Sequence, residues 1–438
     1  MAVVFLYAKV TIFNIDREKA YNDTPSYAAV AEEPLTASAF WVSRRPITLP
    51  LIYKILGINE GNYKKSAENS RVGKFQAGLS ILSWLVLGLS LASTLKTRWL
   101  KPLAFGLIAF FSLSLEISQW DRILLSESVS NSLFVLLVAL GLLEVMLWTG
   151  ESRASQIQQW VACGSLILVA VLYSFTRDVN RYLFLFLSIG MLLGLFFRPI
   201  RQHKERVYFG LIAASFLLIF IAQDYSVNQK NRGLSYIKHV LVDRILPKPE
   251  AVAYFRQKGM PVSEDFNEFV KTASESEYLA ALQTPAMAPL AEWIRNDAKS
   301  IYIQYLISTF PTSFLKPIQK YELLTNSNSS EYRRIVGNQP RWVNILDRIL
   351  YPRSNGPLFL GFVVSMGVAV LLSWRYASKP AWIIIMILLV TIYLLMFIVW
   401  HGDTVDMERH ATPVGIQLRL TFWMMVALLA DVLVYRYG

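Results

Sequence analysis

The chain has 438 residues, of which 54% are hydrophobic and only 17% are charged. A soluble chain would be roughly a quarter charged, so the composition indicates an integral membrane protein. The net charge of +12 would suit a nucleic-acid binder, but the basic residues flank apolar segments, as in proteins that meet anionic lipid headgroups. The single cysteine, Cys163, lies in an apolar segment, which excludes a disulfide framework and a cysteine-based metal cluster.

Apolar segments of about 17 to 25 residues predict membrane-spanning helices. Such segments lie at 77–95, 102–118, 131–149, 158–174, 182–197, 207–223, 357–374, 381–400 and 415–435. A shorter apolar segment, 2–14, is interrupted by Lys9 and is counted as a first span. It lacks a basic n-region and a small-residue cleavage site, so we expect no cleavable signal peptide. The sequence therefore predicts an all-α polytopic membrane protein with about ten spans.

The basic residues of the short loops predict the orientation. The loops 96–101, 150–157, 198–206 and 374–379, with the C-terminal 435–438, hold eleven lysines and arginines. The alternate loops 119–130, 175–181 and 401–413 hold only four. The positive-inside rule places the first set in the cytoplasm and the second set outside. The long connections 15–75 and 224–356 fall outside as well, provided that residues 2–14 cross the membrane.

The two long connections carry helical patterns of their own. Residues 44–57 (RRPITLPLIYKILG) are apolar and basic but too short to span, which predicts a helix lying in the membrane interface. Residues 224–356 place apolar side chains at helical spacing between Pro and Gly, which predicts an extracytoplasmic helical region. The predicted domains are thus 1–223, 224–356 and a C-terminal three-span segment, 357–438.

Acidic side chains in the outer connections are candidates for chemistry. Asp23 lies in a turn-forming Asn-Asp-Thr-Pro stretch, and a carboxylate just outside the membrane can accept a proton from a sugar or lipid hydroxyl. On spacing alone an Asx turn before Pro25 is the more common explanation, and Asp16 is the alternative for the same role. Asp121 and Arg122 end the third predicted span, where the pair could be structural or could position a charged ligand.

Simple structural explanations exist for several other outer polar residues. Ser126 could cap the next helix with Glu127 in its first turn. Asp178 could form a short hairpin turn. Arg177 and Arg181 oppose the charge bias of the outer side, which indicates an anionic partner, and that partner could be Asp178 alone.

The last outer loop combines acids and cations. It contains His401, Asp403, Glu408, Arg409 and His410. Their spacing matches no specific zinc pattern, so no metal site is predicted. Arg409 and His410, with Arg419 further along the last helix, form a row of cations that would suit a phosphate or pyrophosphate headgroup. Snorkelling of Arg419 to the interface is the alternative.

These motifs resemble those of the GT-C superfamily, membrane glycosyltransferases that take sugars from polyprenyl-phosphate carriers. Asp23 matches the acid of that superfamily's first outer loop. Several stretches resemble family signatures: Arg45-Pro46 with Leu49-Pro50-Leu51-Ile52-Tyr53, Trp120-Asp121-Arg122 with Ser126-Glu127-Ser128, Arg177-Asp178-Asn180, and Glu408-Arg409-His410. The resemblance implies a seven-span module before the extracytoplasmic region and three spans after it. It covers most of 1–223 and the last loop.

The resemblance also implies an activity: inverting transfer of a hexose or pentose from a polyprenyl-phosphate carrier to the hydroxyl of a glycan, lipid or protein acceptor. The reaction would take place at the outer face of a prokaryotic cell membrane, with Asp23 as general base. The implied substrate-binding residues are Arg45, Tyr53, Asp121, Arg122, Arg177, Asp178, Glu408, Arg409, His410 and Arg419. The first loop has no Asp-X-Asp or Asp-Glu pair, which favours metal-independent transfer without a cofactor, although a divalent metal is compatible. No nucleic-acid partner is expected.

Three other functions remain open from the sequence. A transporter or flippase of lipid-linked saccharides would distribute polar residues through the bilayer midplane. An O-antigen ligase or polymerase has a different helical architecture; a long late outer loop suits it, and an acid in the first loop argues against it. A non-catalytic subunit of an envelope assembly complex would be separated from these enzymes only by an activity test.

Overall fold

A computed structural model describes residues 2–11, 20–151, 155–195, 203–263, 266, 269, 273, 275–326, 341–353, 357–402, 404 and 407–437. Within these residues every regular element is a helix, which confirms the predicted all-α class. The chain divides into two compact units. The first comprises Met1–Lys230, Thr325–Ile392 and Thr412–Gly438, and the second comprises Asn231–Leu324 and Tyr393–Ala411.

The first unit contains the helices of the N-terminal half. They are α1 (Ala2–Thr11), α2 (Thr24–Glu32), α3 (Ser38–Trp41), α4 (Thr48–Leu56), α5 (Ser66–Thr94), α6 (Leu100–Phe111), α7 (Leu115–Ser118), α8 (Ser126–Trp148), α9 (Gln156–Ser174), α10 (Arg181–Gly194) and α11 (His203–Gln229). A 3₁₀ turn, Gln119–Arg122, follows α7, and another, Asp178–Asn180, precedes α10.

The second unit is built mainly from short helices. They are α12 (Arg232–Val240), α13 (Pro249–Gln257), α14 (Glu275–Ala281), α15 (Ala288–Asn296), α16 (Ala298–Ser308) and α17 (Thr312–Gln319), with α18 (Tyr321–Thr325) at its boundary. The chain then forms α19 (Arg341–Leu350) and α20 (Pro357–Leu372) in the first unit, and α21 (Lys379–Gly402) and α22 (Met407–Tyr437), which contribute to both. Residues 341–350, predicted within the extracytoplasmic region, thus group with the membrane helices.

Within the described residues, six helices are long and apolar enough to cross a membrane. They are Ser70–Thr94, Ser126–Trp148, Gln156–Ser174, Val207–Gln229, Lys379–Gly402 and Met407–Tyr437. The segment predicted as one span at 102–118 instead forms two helical pieces, Leu100–Phe111 and Leu115–Arg122, whose axes are bent by 57°. If this bent pair counts as one broken span, the number of candidate spans is seven.

The prediction of about ten spans is not confirmed, because three predicted spans form short helices. The helix α1 has 10 residues, α10 has 14 and α20 has 16. At 1.5 Å per residue, the ten described residues of α1 are about 15 Å long, roughly half of the hydrocarbon thickness. Residues 12–14 and 196–197 of the predicted spans lie outside the described residues. The structure therefore supports a helical membrane protein, and the orientation inferred from the loop charges stays a prediction.

A helix does form within the predicted interface segment and packs on α2. The side chains of Leu49, Ile52 and Tyr53 on α4 are buried. The ammonium of Lys54 donates hydrogen bonds to the carbonyls of Ala31 (2.9 Å) and Glu33 (2.8 Å), which satisfies polar groups at the C-terminal end of α2. These contacts join α4 to the C-terminal end of α2.

A buried carboxylate, Asp431, fixes the short loop between the C-terminal end of α5 and the start of α6. Asp431 on α22 is 1% exposed, and its two oxygens accept hydrogen bonds from the backbone N–H groups of Lys96 (2.9 Å) and Thr97 (2.7 Å). A carboxylate bound to two N–H groups forms charge-assisted hydrogen bonds. Asp431 therefore links the C-terminal helix to a short loop distant in sequence.

The second unit has its own hydrophobic core. The buried side chains come from α12 to α16 and include Val240, Ile245, Phe255, Tyr278, Leu290 and Ile294. The chain passes from α12 into a π-helical turn, Leu241–Ile245, that places Leu241 and Ile245 in this core. This region is helical, as its apolar spacing predicts.

Candidate active site at one end of the first unit

Three of the predicted outer connections meet at one end of the first unit. Hydrogen bonds run from Thr24 Oγ1 (2.9 Å) and Tyr53 Oη (3.0 Å) to the carbonyl of Leu124, just before α8 begins. The N–H of Thr48, at the start of α4, donates to the carbonyl of Phe175 at 3.1 Å, just after α9 ends. The connections that contain Asp23, Asp121–Arg122 and Arg177–Asp178 are therefore neighbours.

Asp23 forms an ion pair at this end. It occupies the N-cap position of α2, yet its side chain makes no capping hydrogen bond. Its Oδ1 lies 2.7 Å from the guanidinium of Arg45, and the two side chains are 27% and 29% exposed. Arg45 Nε also donates to Ser26 Oγ at 2.7 Å, and its Cζ lies 5.0 Å from the ring centroid of Tyr27, within cation–π range. The Asp23 carboxylate thus faces a cation instead of capping its helix.

A buried phenol, Tyr27, lies beside this ion pair, and a second buried phenol, Tyr53, neighbours Tyr27. Burial raises the pKa of the Tyr27 hydroxyl, while the Arg45 guanidinium acts in the opposite direction. Burial also raises the pKa of Tyr53 well above its ordinary value, and neighbouring Tyr27 adds to the effect. Both side chains are therefore neutral at physiological pH and act as hydrogen-bond donors; Tyr27 Oη points to Ser126 Oγ at 3.5 Å.

Ser126 does not cap α8, contrary to the simple structural explanation. The helix begins at Ser126 itself, Leu125 takes the N-cap position, and no side-chain capping bond forms. The Ser126 hydroxyl faces Tyr27 instead. Glu127 lies in the first turn of α8 and is buried, where its charge is favourable toward the positive end of the helix dipole.

Asp121 takes part in a buried network with Lys9. The ammonium of Lys9 lies 2.8 Å from Asp121 Oδ2, and the two side chains are 1% and 8% exposed. Lys9 also donates to the carbonyl of Ser112 at 3.1 Å, and Ser128 Oγ donates to Asp121 Oδ1 at 2.6 Å. Arg122, the expected partner, is buried on the same turn. Lys9 was not predicted as a partner, although a lysine within an apolar segment is itself a signal that an anion lies nearby.

The arginines after α9 also acquire an unexpected partner. Arg181 Nε lies 3.3 Å from Asp224 Oδ1 on α11, one residue beyond the predicted span 207–223. Its guanidinium also donates to the carbonyl of Asp178 at 2.6 Å. Arg177 is buried, and its carbonyl accepts a hydrogen bond from Gln223 Nε2 at 3.1 Å. Arg181 therefore has an anionic partner, as the sequence predicts, and that partner is Asp224.

Arg419 is enclosed by protein acceptors. It is fully buried, and it donates to the carbonyls of Pro352 (2.8 Å), Thr325 (2.8 Å) and Gly415 (3.1 Å) and to Asn326 Oδ1 (3.2 Å). Its Cζ lies 4.0 Å from the Tyr351 ring centroid. We call Arg419, Thr325, Tyr351, Pro352 and Gly415 the arginine cage. Because Arg419 is buried, the snorkelling explanation is wrong. Its N–H groups donate to protein acceptors, and its predicted role in binding a phosphate stays a prediction.

The last outer connection belongs to the second unit. Glu408 is exposed in the first turn of α22, while Arg409 and His410 are half-buried. Asp403 and Asp16 lie outside the described residues. Among the described residues no group of three histidine, cysteine or carboxylate side chains is arranged to hold a metal ion. The structure thus unites Asp23, Arg45, Tyr53, Asp121, Arg122, Arg177 and Asp178 at one end of the first unit; Glu408, Arg409 and His410 stay separate predictions.

No protein-family model, no curated protein and no solved structure matches this chain. The resemblance to membrane glycosyltransferases therefore rests on the motifs of the sequence itself.

Proposed function

We propose that the protein is a membrane glycosyltransferase that moves a hexose or pentose from a polyprenyl-phosphate carrier to an acceptor hydroxyl. The observation that carries the proposal is the Asp23–Arg45 ion pair, whose side chains remain 27% and 29% exposed where three loops meet. An accessible acid and cation beside buried neutral phenols would suit an anionic substrate that arrives from the membrane.

In the proposed reaction Asp23 acts as general base. Its carboxylate takes the proton of the acceptor hydroxyl while that oxygen attacks the anomeric carbon from the face opposite the phosphate. The bond between the anomeric carbon and the phosphate oxygen breaks, polyprenyl phosphate leaves with the bonding electrons, and the anomeric configuration inverts. The transition state would resemble an oxocarbenium ion, as in other glycosyl transfers.

The surrounding side chains would position the acid and balance the charge that develops on the phosphate. Arg45 holds the Asp23 carboxylate and supplies a positive charge 2.7 Å from it. Arg177 and Arg122 are further candidates for the phosphate site from the first unit, and Arg409 and His410 are candidates from the last loop. We leave Arg419 out of this site because its donors are engaged in the arginine cage.

Asp121 would act by positioning. Bound to Lys9 and Ser128, it fixes the turn that leads into α8, and this turn supplies the Leu124 carbonyl to which Tyr53 and Thr24 donate. The loop that carries Asp23 would therefore depend on the network around Asp121. We place the reaction at the outer face of a prokaryotic cell membrane, as the loop charges predict.

A transporter or flippase of lipid-linked saccharides is the second candidate, and Glu144 favours it. This carboxylate is 3% exposed on the membrane-spanning α8. An ionisable residue within a span is often part of a proton or substrate pathway. The two candidates make different predictions about the donor: a transferase cleaves it, whereas a flippase moves it intact.

One reconstitution experiment separates them. The purified chain in vesicles would receive a radiolabelled polyprenyl-phosphate hexose or pentose together with saccharide and lipid acceptors. A transferase releases one polyprenyl phosphate for each sugar attached to an acceptor. Transfer of intact donor to the opposite leaflet, without cleavage, would instead support the flippase. Neither cleavage nor movement with any donor of this class would reject both proposals.

A further inference from the structure

Two short helices of the second unit, α16 and α17, and the turn between them carry neighbouring apolar side chains that are exposed. They are Ile303 (50%), Ile307 (70%), Phe310 (65%), Phe314 (44%), Leu315 (45%) and Ile318 (42%). We call these six residues the α16–α17 patch. Residues 300–315 include no charged side chain. A water-exposed domain rarely carries so many exposed large apolar residues in one place unless another surface covers them.

The patch is attached to a membrane-spanning helix. Phe314 packs on α21, with its ring centroid 4.7 Å from that of Tyr393 and 6.2 Å from that of Phe397. The hydroxyl of Tyr393 donates to the carbonyl of Phe314 at 2.6 Å. His401, next to the end of α21, contacts the carbonyl of Ser313 through Nε2 at 2.9 Å. The start of α17 therefore lies along the last turns of α21.

The length of α21 sets the depth of this contact. Its 24 residues are about 36 Å long, so in a hydrocarbon core of about 30 Å a centred helix projects by about 3 Å at each end. Phe397 lies five residues before the end of α21 at Gly402, or about 7 Å along the axis. The Phe314 side chain, packed beside Phe397 and Tyr393, is thus level with the outer part of the hydrocarbon core.

Charge and helix length agree with a position at the lipid surface. Lysines border the uncharged segment on both sides: the exposed Lys299 precedes it, the half-buried Lys316 follows Leu315 within α17, and the exposed Lys320 follows α17. Lysines at the border of an apolar surface can meet anionic headgroups. The helices have 11 and 8 residues, about 16 and 12 Å, which is too short to cross the bilayer.

We propose that the α16–α17 patch inserts into the lipid leaflet in which the C-terminal end of α21 lies. The second unit would then be anchored to the bilayer by this patch as well as by α21. The inference rests on the exposed side chains and their contacts with α21, and it holds whether or not the chain transfers sugars.

Site-directed spin labelling tests the insertion. In full-length chain with Cys163→Ala, single cysteines are introduced as Ile307→Cys, Phe310→Cys and Leu315→Cys, and labelled with a nitroxide. The matched control is Glu292→Cys, at an exposed position on α15 of the same unit. The protein is reconstituted into phosphatidylethanolamine–phosphatidylglycerol vesicles, and power saturation measures the access of oxygen and of a water-soluble nickel chelate to each label.

The expected result is a reversal of accessibility. Labels at 307, 310 and 315 should meet oxygen several times more readily than the nickel chelate, because oxygen concentrates in lipid, whereas the label at 292 should show the opposite order. Nickel access at the patch equal to that at 292 would overturn the proposal, since the patch would then face water. Low access of both reagents would also overturn it, because a partner protein or a second copy would cover the patch.

Discussion

Replacement of Lys9 by methionine tests the buried network that links α1 to the turn before α8. Lys9 Nζ and Asp121 Oδ2 are 2.8 Å apart, and the two side chains are 1% and 8% exposed. Methionine has nearly the volume of lysine but no charge, so Lys9→Met leaves Asp121 as an unpaired buried carboxylate without creating a large cavity. Removal of one partner of a buried ion pair costs about 3–5 kcal/mol of unfolding free energy.

That cost converts into a measurable melting shift. A chain of this length has an unfolding entropy on the order of 0.9 kcal/mol/K, so the loss corresponds to a Tm lower by about 3–5 °C. Intrinsic fluorescence of the detergent-solubilised protein during heating reports the Tm. The double variant Lys9→Met with Asp121→Asn should recover part of the loss, because both charges are then absent, and the cycle should give a coupling energy of about 2 kcal/mol or more.

The exposed Lys65 supplies the control, because Lys65→Met removes a lysine without breaking a buried pair. Its Tm should stay within about 1 °C of the wild-type value, as is usual for surface substitutions. A Tm for Lys9→Met equal to that of Lys65→Met, with no coupling in the cycle, would refute the buried pair and with it the position of α1.

Three further predictions concern stability. A Cβ at Gly415 would lie 2.6 Å from Tyr351 Oη and 2.7 Å from the carbonyl of Thr325, both in the arginine cage, so Gly415→Ala should lower the unfolding free energy by about 1–3 kcal/mol. The control Gly361→Ala adds a Cβ with nothing within 4 Å and should not lower it. Equal Tm values for the two variants would contradict the cage. Asp431→Ala removes the acceptor of two backbone N–H groups and should cost about 2–5 kcal/mol, measured as the Tm loss; an unchanged Tm would argue against that link. Burial raises the pKa of Tyr53, so above about pH 10 the unfolded chain ionises at this residue while the folded chain does not. Its contribution to stability is therefore complete below about pH 10, and it falls by up to about 1.4 kcal/mol per pH unit as the pH rises toward the folded pKa. Tyr53→Phe should therefore flatten the fall of Tm above pH 10, and the exposed Tyr225→Phe should not; identical slopes for the two variants would refute this.

Hydrophobic length predicted the long helices well and the interrupted ones poorly. The spans at 158–174 and 381–400 lie within α9 and α21, because long apolar segments leave little alternative to a continuous helix. The segment 102–118 is also apolar, but the chain bends after Phe111. There the hydroxyls of Ser112 and Ser114 each donate to a carbonyl three residues earlier, at 2.7 Å. A hydropathy average does not register such local bonds, which compete with helix geometry.

The candidate site was predictable in its residue types but not in its pairings. Asp23 stands out in the sequence because it follows the first apolar segment, yet its partner Arg45 lies 22 residues away, on the far side of two short helices. The Lys9–Asp121 pair joins segments still more distant in the chain. The contacts of Arg419 could not be predicted either. Its acceptors are mainly backbone carbonyls, which exist at every residue and carry no sequence signature.

The most direct test of the proposed function compares two aspartates in the sugar-transfer assay. Asp23 and Asp224 both pair with an arginine, and their side chains are 27% and 29% exposed, so the neutral substitutions Asp23→Asn and Asp224→Asn are closely matched. If Asp23 is the general base, Asp23→Asn should lower kcat by about 10²–10⁴-fold with an unchanged Tm, while Asp224→Asn should retain kcat within about twofold. Transfer by Asp23→Asn at the rate of the Asp224→Asn control would contradict the proposed mechanism.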